Sequence, residues 1–288
     1  MKAIYRRELQ SYFHTMVGYV FIAFLVAFTG VYFMAFNLNY GYPYFSYVLS
    51  SIHFVFMIAV PILTMRSFAE DKKNKTDQML LTAPVSLWKI VIGKYLAMVS
   101  IFAVPCVIYL IFPLIIMTQG TAYLMADYLS ILVFFLIGCV YIAVGMFLSS
   151  LTESPIIAAI STFGVLLLSY LWSGIIDFLP GGAAGNAAGF ILLATVLTLG
   201  IYKMTKNWLI AAVFEAATII TCVVIGIVKA SILEGALSNL LGRFSLTDAL
   251  ADIASNSLLD VGSLIFDVSL AGLFIFLTMQ MIQKRRWS

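Results

Sequence analysis

Long uninterrupted apolar runs, separated by short clusters of charge, leave this sequence few ways to fold. They lie near 17–36, 48–65, 94–117, 129–148, 155–178, 187–202, 208–228 and 263–281. A helix needs roughly 20 apolar residues to cross a bilayer, so the runs read as about eight transmembrane helices. Only 10% of the residues are charged, against about a quarter in soluble domains, and the mean hydropathy is +1.07. A water-soluble enzyme is excluded. A transmembrane barrel would show short strands of alternating polarity, whereas these runs are continuous. The expected fold is all-α and polytopic, one membrane domain over 1–288. The sixth run, behind the turn Pro180-Gly181-Gly182-Ala183-Ala184-Gly185-Asn186, is short enough that a re-entrant segment stands beside a full crossing.

Eight spans sort the basic residues by side. Of the 16 Lys and Arg, 14 fall at the N-terminus, in the 66–94 loop, in the 203–207 turn and at the C-terminus; only Lys229 and Arg243 fall opposite. Basic residues in short loops stay in the cytoplasm, so both termini are expected inside, in a multi-pass cell-membrane protein. Tyr40, Tyr42, Tyr44 and Tyr47 crowd the first outer turn, where amphipathic rings favour the interface. The first apolar run has no small-residue cleavage site after it and is expected to stay as a span. A net charge of +3 is too small to imply a nucleic-acid partner. Cys106, Cys139 and Cys222 are isolated in apolar runs, with neither disulfide nor metal-ligand spacing. His14 and His53 read as interfacial anchors rather than metal ligands.

Three segments are neither spans nor simple turns. In the first, 1–16, Ile4, Tyr5, Leu9, Tyr12, Phe13 and Met16 recur at helical spacing with Arg6, Arg7, Glu8 and Gln10 between them. It fits a helix lying on the inner membrane surface, its basic side drawn to anionic lipid. The second is the loop 66–93. Asn74 or Thr76 can cap a short helix with Asp77 in its first turn, and Pro84 closes it. Ser86 then caps the helix leading into the third span, with Val85 and Ile90 as a hydrophobic staple. Met79, Leu80 and Leu81 stand exposed on this knuckle. An apolar knob among charges suits a protein-binding surface; by residues alone, dipping into the lipid interface fits equally. The third, 230–262, is too polar to span. It reads as two amphipathic helices, through Leu233, Ala236, Leu237, Leu240, Leu241 and Phe244, then Ala249, Leu250, Ile253, Ala254 and Ser257.

Two acids lie inside spans, where ionisable groups are functional suspects by default. Glu215 shares a face with Ala211, Ala212, Thr218, Ile219 and Cys222. It either lines a path or holds neighbouring helices by hydrogen bonds. Asp267 sits near its helix start, where the dipole favours an acid. Pro105 and Pro113 mark bends in the third span, directly above the loop, which makes that span a candidate lever.

Thr76-Asp77-Gln78-Met79-Leu80-Leu81-Thr82-Ala83-Pro84 resembles the Thr-acid-x-Leu-Leu-x-x-Pro loop of type 2 ABC exporter permeases, with Met79 as one extra residue. Arg6-Arg7-Glu8-Leu9-x-x-Tyr12-Phe13 with Gly18-Tyr19-Val20, and Phe276-Leu277-Thr278 with Lys284-Arg285-Arg286-Trp287, resemble the branch related to gliding-motility and copper-enzyme-maturation permeases. Lys75 departs from the pattern, since many relatives carry Gly there. The resemblance implies that residues 76–84 form a coupling helix seated on a separate ABC ATPase subunit, with Thr76, Asp77, Gln78, Leu80, Leu81 and Pro84 at the contact. The turn Ser149–Pro155, with Glu153, would be a smaller second contact, and 1–16 the elbow helix. The segment 230–262 would cap a path shared with a second permease protomer, a copy or a paralogue. No Gly-x-x-x-x-Gly-Lys-Ser/Thr occurs in the chain, so ATP and Mg would be bound by the partner and this subunit would bind no cofactor. The implied activity is ATP-driven transport, in the export direction. Three alternatives remain: a secondary transporter, which should show matched broken helices in two halves, a membrane-embedded enzyme, or a permease-like protein that transmits force to an outer partner.

Overall fold

A computed structural model describes residues 1–76, 86–205, 215, 235–243, 245–246 and 261–287. The described residues are helical, with no strand among them. In chain order the helices are α1 Lys2–His14, α2 Val17–Phe33, α3 Ser46–Thr64, α4 Ala69–Lys73, α5 Leu87–Tyr109, α6 Phe112–Gln119, α7 Leu124–Leu151, α8 Pro155–Tyr170, α9 Trp172–Asp177, α10 Ala183–Thr205, α11 Ala236–Gly242 and α12 Val261–Trp287. A π-helical stretch, Met34–Asn39, extends α2.

Among the described residues five stretches are long and apolar enough to cross a membrane: Val17–Asn39, Ser46–Lys73, Leu87–Thr118, Leu124–Leu151 and Val261–Arg285. This is a multi-pass architecture, and all five coincide with runs expected to span. The 155–178 run divides instead, because the helix stops at Tyr170 and restarts at Trp172. The third span also divides. Pro105 is inside α5, but the chain breaks at Leu110–Ile111, and Pro113 occupies the first turn of α6, where its missing N–H costs nothing. Residues 183–205 form one helix, longer than expected, whose apolar stretch is Gly185–Val196. The seventh run lies outside the described residues except for Glu215.

The chain forms two compact units, Met1–Tyr170 with Leu246–Ser288, and Leu171–Ser245. In the first, α7 is central and packs against α3, α5, α8 and α12. Phe56, Phe102, Phe134, Tyr109 and Tyr141 are fully buried; Phe56 stacks on Phe102 at 4.7 Å and meets Phe134 at 5.0 Å. Glycines set how closely the helices approach. A Cβ on Gly145 would stand 2.3 Å from Thr64 Oγ1, and one on Gly138 2.1 Å from the Phe102 ring.

In the second unit, Asn186 is fully buried. Its amide donates to Pro180 O and Gly182 O, both at 2.9 Å, and its Oδ1 accepts the Leu237 N–H at 3.0 Å. The Trp172 indole donates to Leu241 O at 2.9 Å. These bonds fasten α11, which lies within the 230–262 segment, onto α9 and α10. Gly235 starts α11 at φ +68°, a conformation that favours glycine.

Candidate functional site: the charged end of the bundle

The 66–76 segment turns back onto α7. After α3 ends at Thr64, the chain bends and forms α4, with Glu70 and Asp71 in its first turn and Lys72 and Lys73 in its last, as the helix dipole favours. Ser149, fully buried near the end of α7, holds that bend. Its Oγ accepts the N–H groups of Phe68 at 3.2 Å and Ala69 at 3.1 Å and donates to Met65 O at 3.1 Å. These donors are orphans at a helix N-terminus, so a side chain from another helix does the capping. Lys72 Nζ donates to Ser150 O, and Arg66 forms a double hydrogen bond with Glu70, one arm at 2.7 Å. Replacing Ser149 with Ala strands two buried N–H groups, at about 1–3 kcal/mol. Hydrogen exchange at residues 67–73 should then accelerate at least tenfold, while exchange at the middle of α7 stays unchanged.

The loop root ends in a sharp turn. Lys75 has φ +58°, the left-handed region that costs a side-chain-bearing residue about 1–2 kcal/mol. The Gly that the family resemblance expects at this position therefore has a physical reason. Thr76 Oγ1 lies 3.2 Å from both Asp71 O and Asp71 Oδ1, so Thr76 closes the turn after α4. Asn74 ends α4 instead of starting a helix, and the helix that Thr76 is expected to cap lies outside the described residues. Ser86 takes the extended N-cap conformation before α5 but makes no side-chain cap, so its capping role is corrected to a positional one. Asp77, Gln78, Leu80, Leu81 and Pro84 lie outside the described residues, as does Val85 of the staple.

The turn expected to form a second contact is drawn into the same region. Ser149 to Leu151 still belong to α7, which narrows the expected turn to Thr152–Ser154. Glu153 pairs with Arg285 of α12 at 3.2 Å. The root of the loop, the 152–154 turn and the C-terminal helix thus converge at one end of the bundle.

The N-terminal helix closes the site. α1 lies along α5, with Ile4 against Gly93 and the Tyr5 and Ser100 hydroxyls sharing a hydrogen bond at 3.0 Å. Tyr12, 6% exposed, donates to Leu63 O at 3.0 Å. Burial, and then the charge of Glu8, pushes its phenol above the ordinary range. Met16 is corrected from the buried face to an exposed turn at φ 60°. Glu8, expected on the polar side, is buried, paired with Arg7 at 2.6 Å and with Lys94 at 3.0 Å. Lys94 also meets Asp71 at 2.8 Å and Ser67 O at 2.8 Å. Between α1 and the loop root lies a cleft of about 330 Å³, walled by Arg7, Ser11, Arg66, Glu70, Asn74 and Thr76 among others.

Of the two acids expected inside spans, Asp267 is the seventh residue of α12, past its first turn, and 1% exposed. The helix-start account is thereby corrected, since the dipole effect fades within that turn. Glu215 is half-buried in helical backbone. His53 is corrected from an interfacial anchor to a buried group, its Nε2 2.8 Å from the Tyr141 hydroxyl and its ring stacked on Tyr170 at 5.8 Å. Among the described residues no three His, Cys, Asp or Glu come together as a metal site.

Sequence reasoning missed Ser149, Glu8 and Lys94 as structural contacts. The available signal was a lysine eight residues into an apolar helix, directly after a glycine. Such a cation needs buried acceptors.

Comparison with known proteins agrees with this multi-pass helical architecture. Residues 27–208 match the family described as ABC-2 family transporter protein. No curated protein and no solved structure matches the chain. Because the family match covers more than half of its length, the chain belongs to the ABC-2 transporter family, as a membrane-spanning permease component.

Proposed function

We propose that this chain is the permease subunit of an ATP-driven exporter, and that its charged end is the cytoplasmic seat of a separate ABC ATPase. The observation that carries the reading is the Ser149 node. It binds the root of the 66–93 loop to the end of α7, next to the 152–154 turn where Glu153 meets α12. A push on residues 77–85 therefore enters a root already bonded to the central helix. The knuckle is the main contact, with Thr76, Asp77, Gln78, Leu80, Leu81 and Pro84, and Glu153 is the second. ATP and Mg belong to the partner, and this chain supplies motion and path.

In this reading there are eight spans, with both termini in the cytoplasm. α1 is the elbow helix at the inner leaflet, with lipid around it. A second permease protomer completes the path, 230–262 caps it on the outer side, and Glu215 and Asp267 are candidates for its polar lining. The two terminal motifs favour the gliding-motility and copper-enzyme-maturation branch.

Topology is the sharpest test. Lys73 is exposed at the end of α4. In a chain lacking its native cysteines, Lys73→Cys should react with a membrane-impermeant maleimide only in inside-out vesicles or lysed cells. Labelling in intact cells would place the loop outside and end the docking assignment.

A further inference from the structure

We infer that Lys94 is the positioning residue of the docking loop, fixing the loop root to α1 and α5 so that displacement of the loop is delivered to α5. The side chain is 2% exposed; its Nζ donates to Ser67 O at 2.8 Å and forms ion pairs with Glu8 Oε2 on α1 at 3.0 Å and with Asp71 Oδ2 on α4 at 2.8 Å. The Phe68 ring lies 5.2 Å from the same nitrogen. Arg7 balances the remaining carboxylate charge at 2.6 Å.

A buried ion pair is a poor source of net stability, because desolvation offsets most of the attraction. What it does supply is registry, since one buried ammonium pairs with carboxylates on two different elements. Slippage of the loop root relative to α5 would take Asp71 away from the ammonium that compensates its charge. The 66–76 segment leaves α3 covalently but is held to α5 electrostatically. The third span therefore receives the stroke, and α1 moves with it. Glycine at 93 admits Ile4 to within 3.1 Å of where a Cβ would stand, bringing Glu8 over Lys94 one helical turn further along α1.

The delivery step rests on the ATPase docking proposed above; the clasp itself does not, and the experiment separates the two. Spin labels at Gln10 and Lys73, both exposed, report the distance between α1 and the loop root in the chain alone, in lipid nanodiscs. The expected result is a single narrow distribution in the parent and in Lys94→Arg, and a broadened or displaced one in Lys94→Met. A Lys94→Met/Glu8→Gln/Asp71→Asn variant removes the charges together, so it folds without stranded ions and should show the same broadening. An unchanged distribution in both variants that lack the Lys94 charge overturns the inference.

In the complex, labels at Lys73 and Val104 should keep their separation when ATP and vanadate trap the partner, and lose that constancy in Lys94→Met. A parental separation that changes on trapping overturns delivery to α5. A parent chain that retains no ATPase overturns the docking reading and leaves the first result standing.

Discussion

Leu81→Arg should reduce the ATPase recovered with the tagged chain at least tenfold, without lowering the amount of chain in the membrane. Residues 77–85 are strung between two fixed points. On one side Thr76 closes onto Asp71, and α4 is bonded to Ser149 and Ser150. On the other, α5 begins at Leu87 with its next turns already buried at Ile90 and Val91. The short stretch between carries Met79, Leu80 and Leu81 with Pro84 behind them. In the docking assignment Leu81 fills an apolar groove, and a guanidinium placed there loses its water without gaining a partner. Such a loss costs several kcal/mol, and each 1.4 kcal/mol is about tenfold in affinity. Lys73→Ala, on the exposed end of α4, should leave recovery within about twofold. If Leu81 only dipped into lipid, arginine could snorkel to the headgroups and recovery would not fall.

Hydrophobic periodicity made the helices legible because a span must satisfy its backbone internally, and nothing else in water or lipid demands such long apolar runs. It located α2, α3, α5, α7 and α12 from composition alone. Breaks were harder to read. The stop at Tyr170 carries neither Gly nor Pro, and Pro113 is compatible with a kink or with a new helix start. The site was legible as a segment but not as a set of contacts. Glu8 looks like an ordinary interfacial charge along the sequence; Lys94 inside its apolar helix signals a need for acceptors but not which ones, and only the crossing of α1 over α5 makes them a buried pair. Ser149 is one of two adjacent serines at the end of an apolar run, and what distinguishes it is the loop that returns to it from 80 or more positions away.

The largest effect on folding is expected at the glycines of α7, and comparing two of them tests how the bundle carries the site. Gly138→Leu drives a side chain into Phe102, whose ring is held between Phe56 at 4.7 Å and Phe135 at 5.7 Å. Gly145→Leu drives one into Thr64, whose hydroxyl is bonded to Val60 O at 3.0 Å. Neither neighbour can rotate away without giving up its packing or its bond, so overpacking of about 3 kcal/mol is expected at each. A lowered Tm by near-ultraviolet circular dichroism in detergent should report both. The functional outcomes differ. Gly145 lies one turn before Ser149, and Thr64 is the last residue of α3 before the bend that Ser149 caps. Forcing α3 off α7 there lifts Met65, Phe68 and Ala69 away from their shared partner, so ATPase recovery falls together with Tm. Gly138 lies three turns away from Ser149, so at temperatures below its lowered Tm Gly138→Leu should keep the charged end assembled and the ATPase bound. Equal loss of the partner in both variants would mean that the site depends on the whole bundle and not on the seam between α3 and α7.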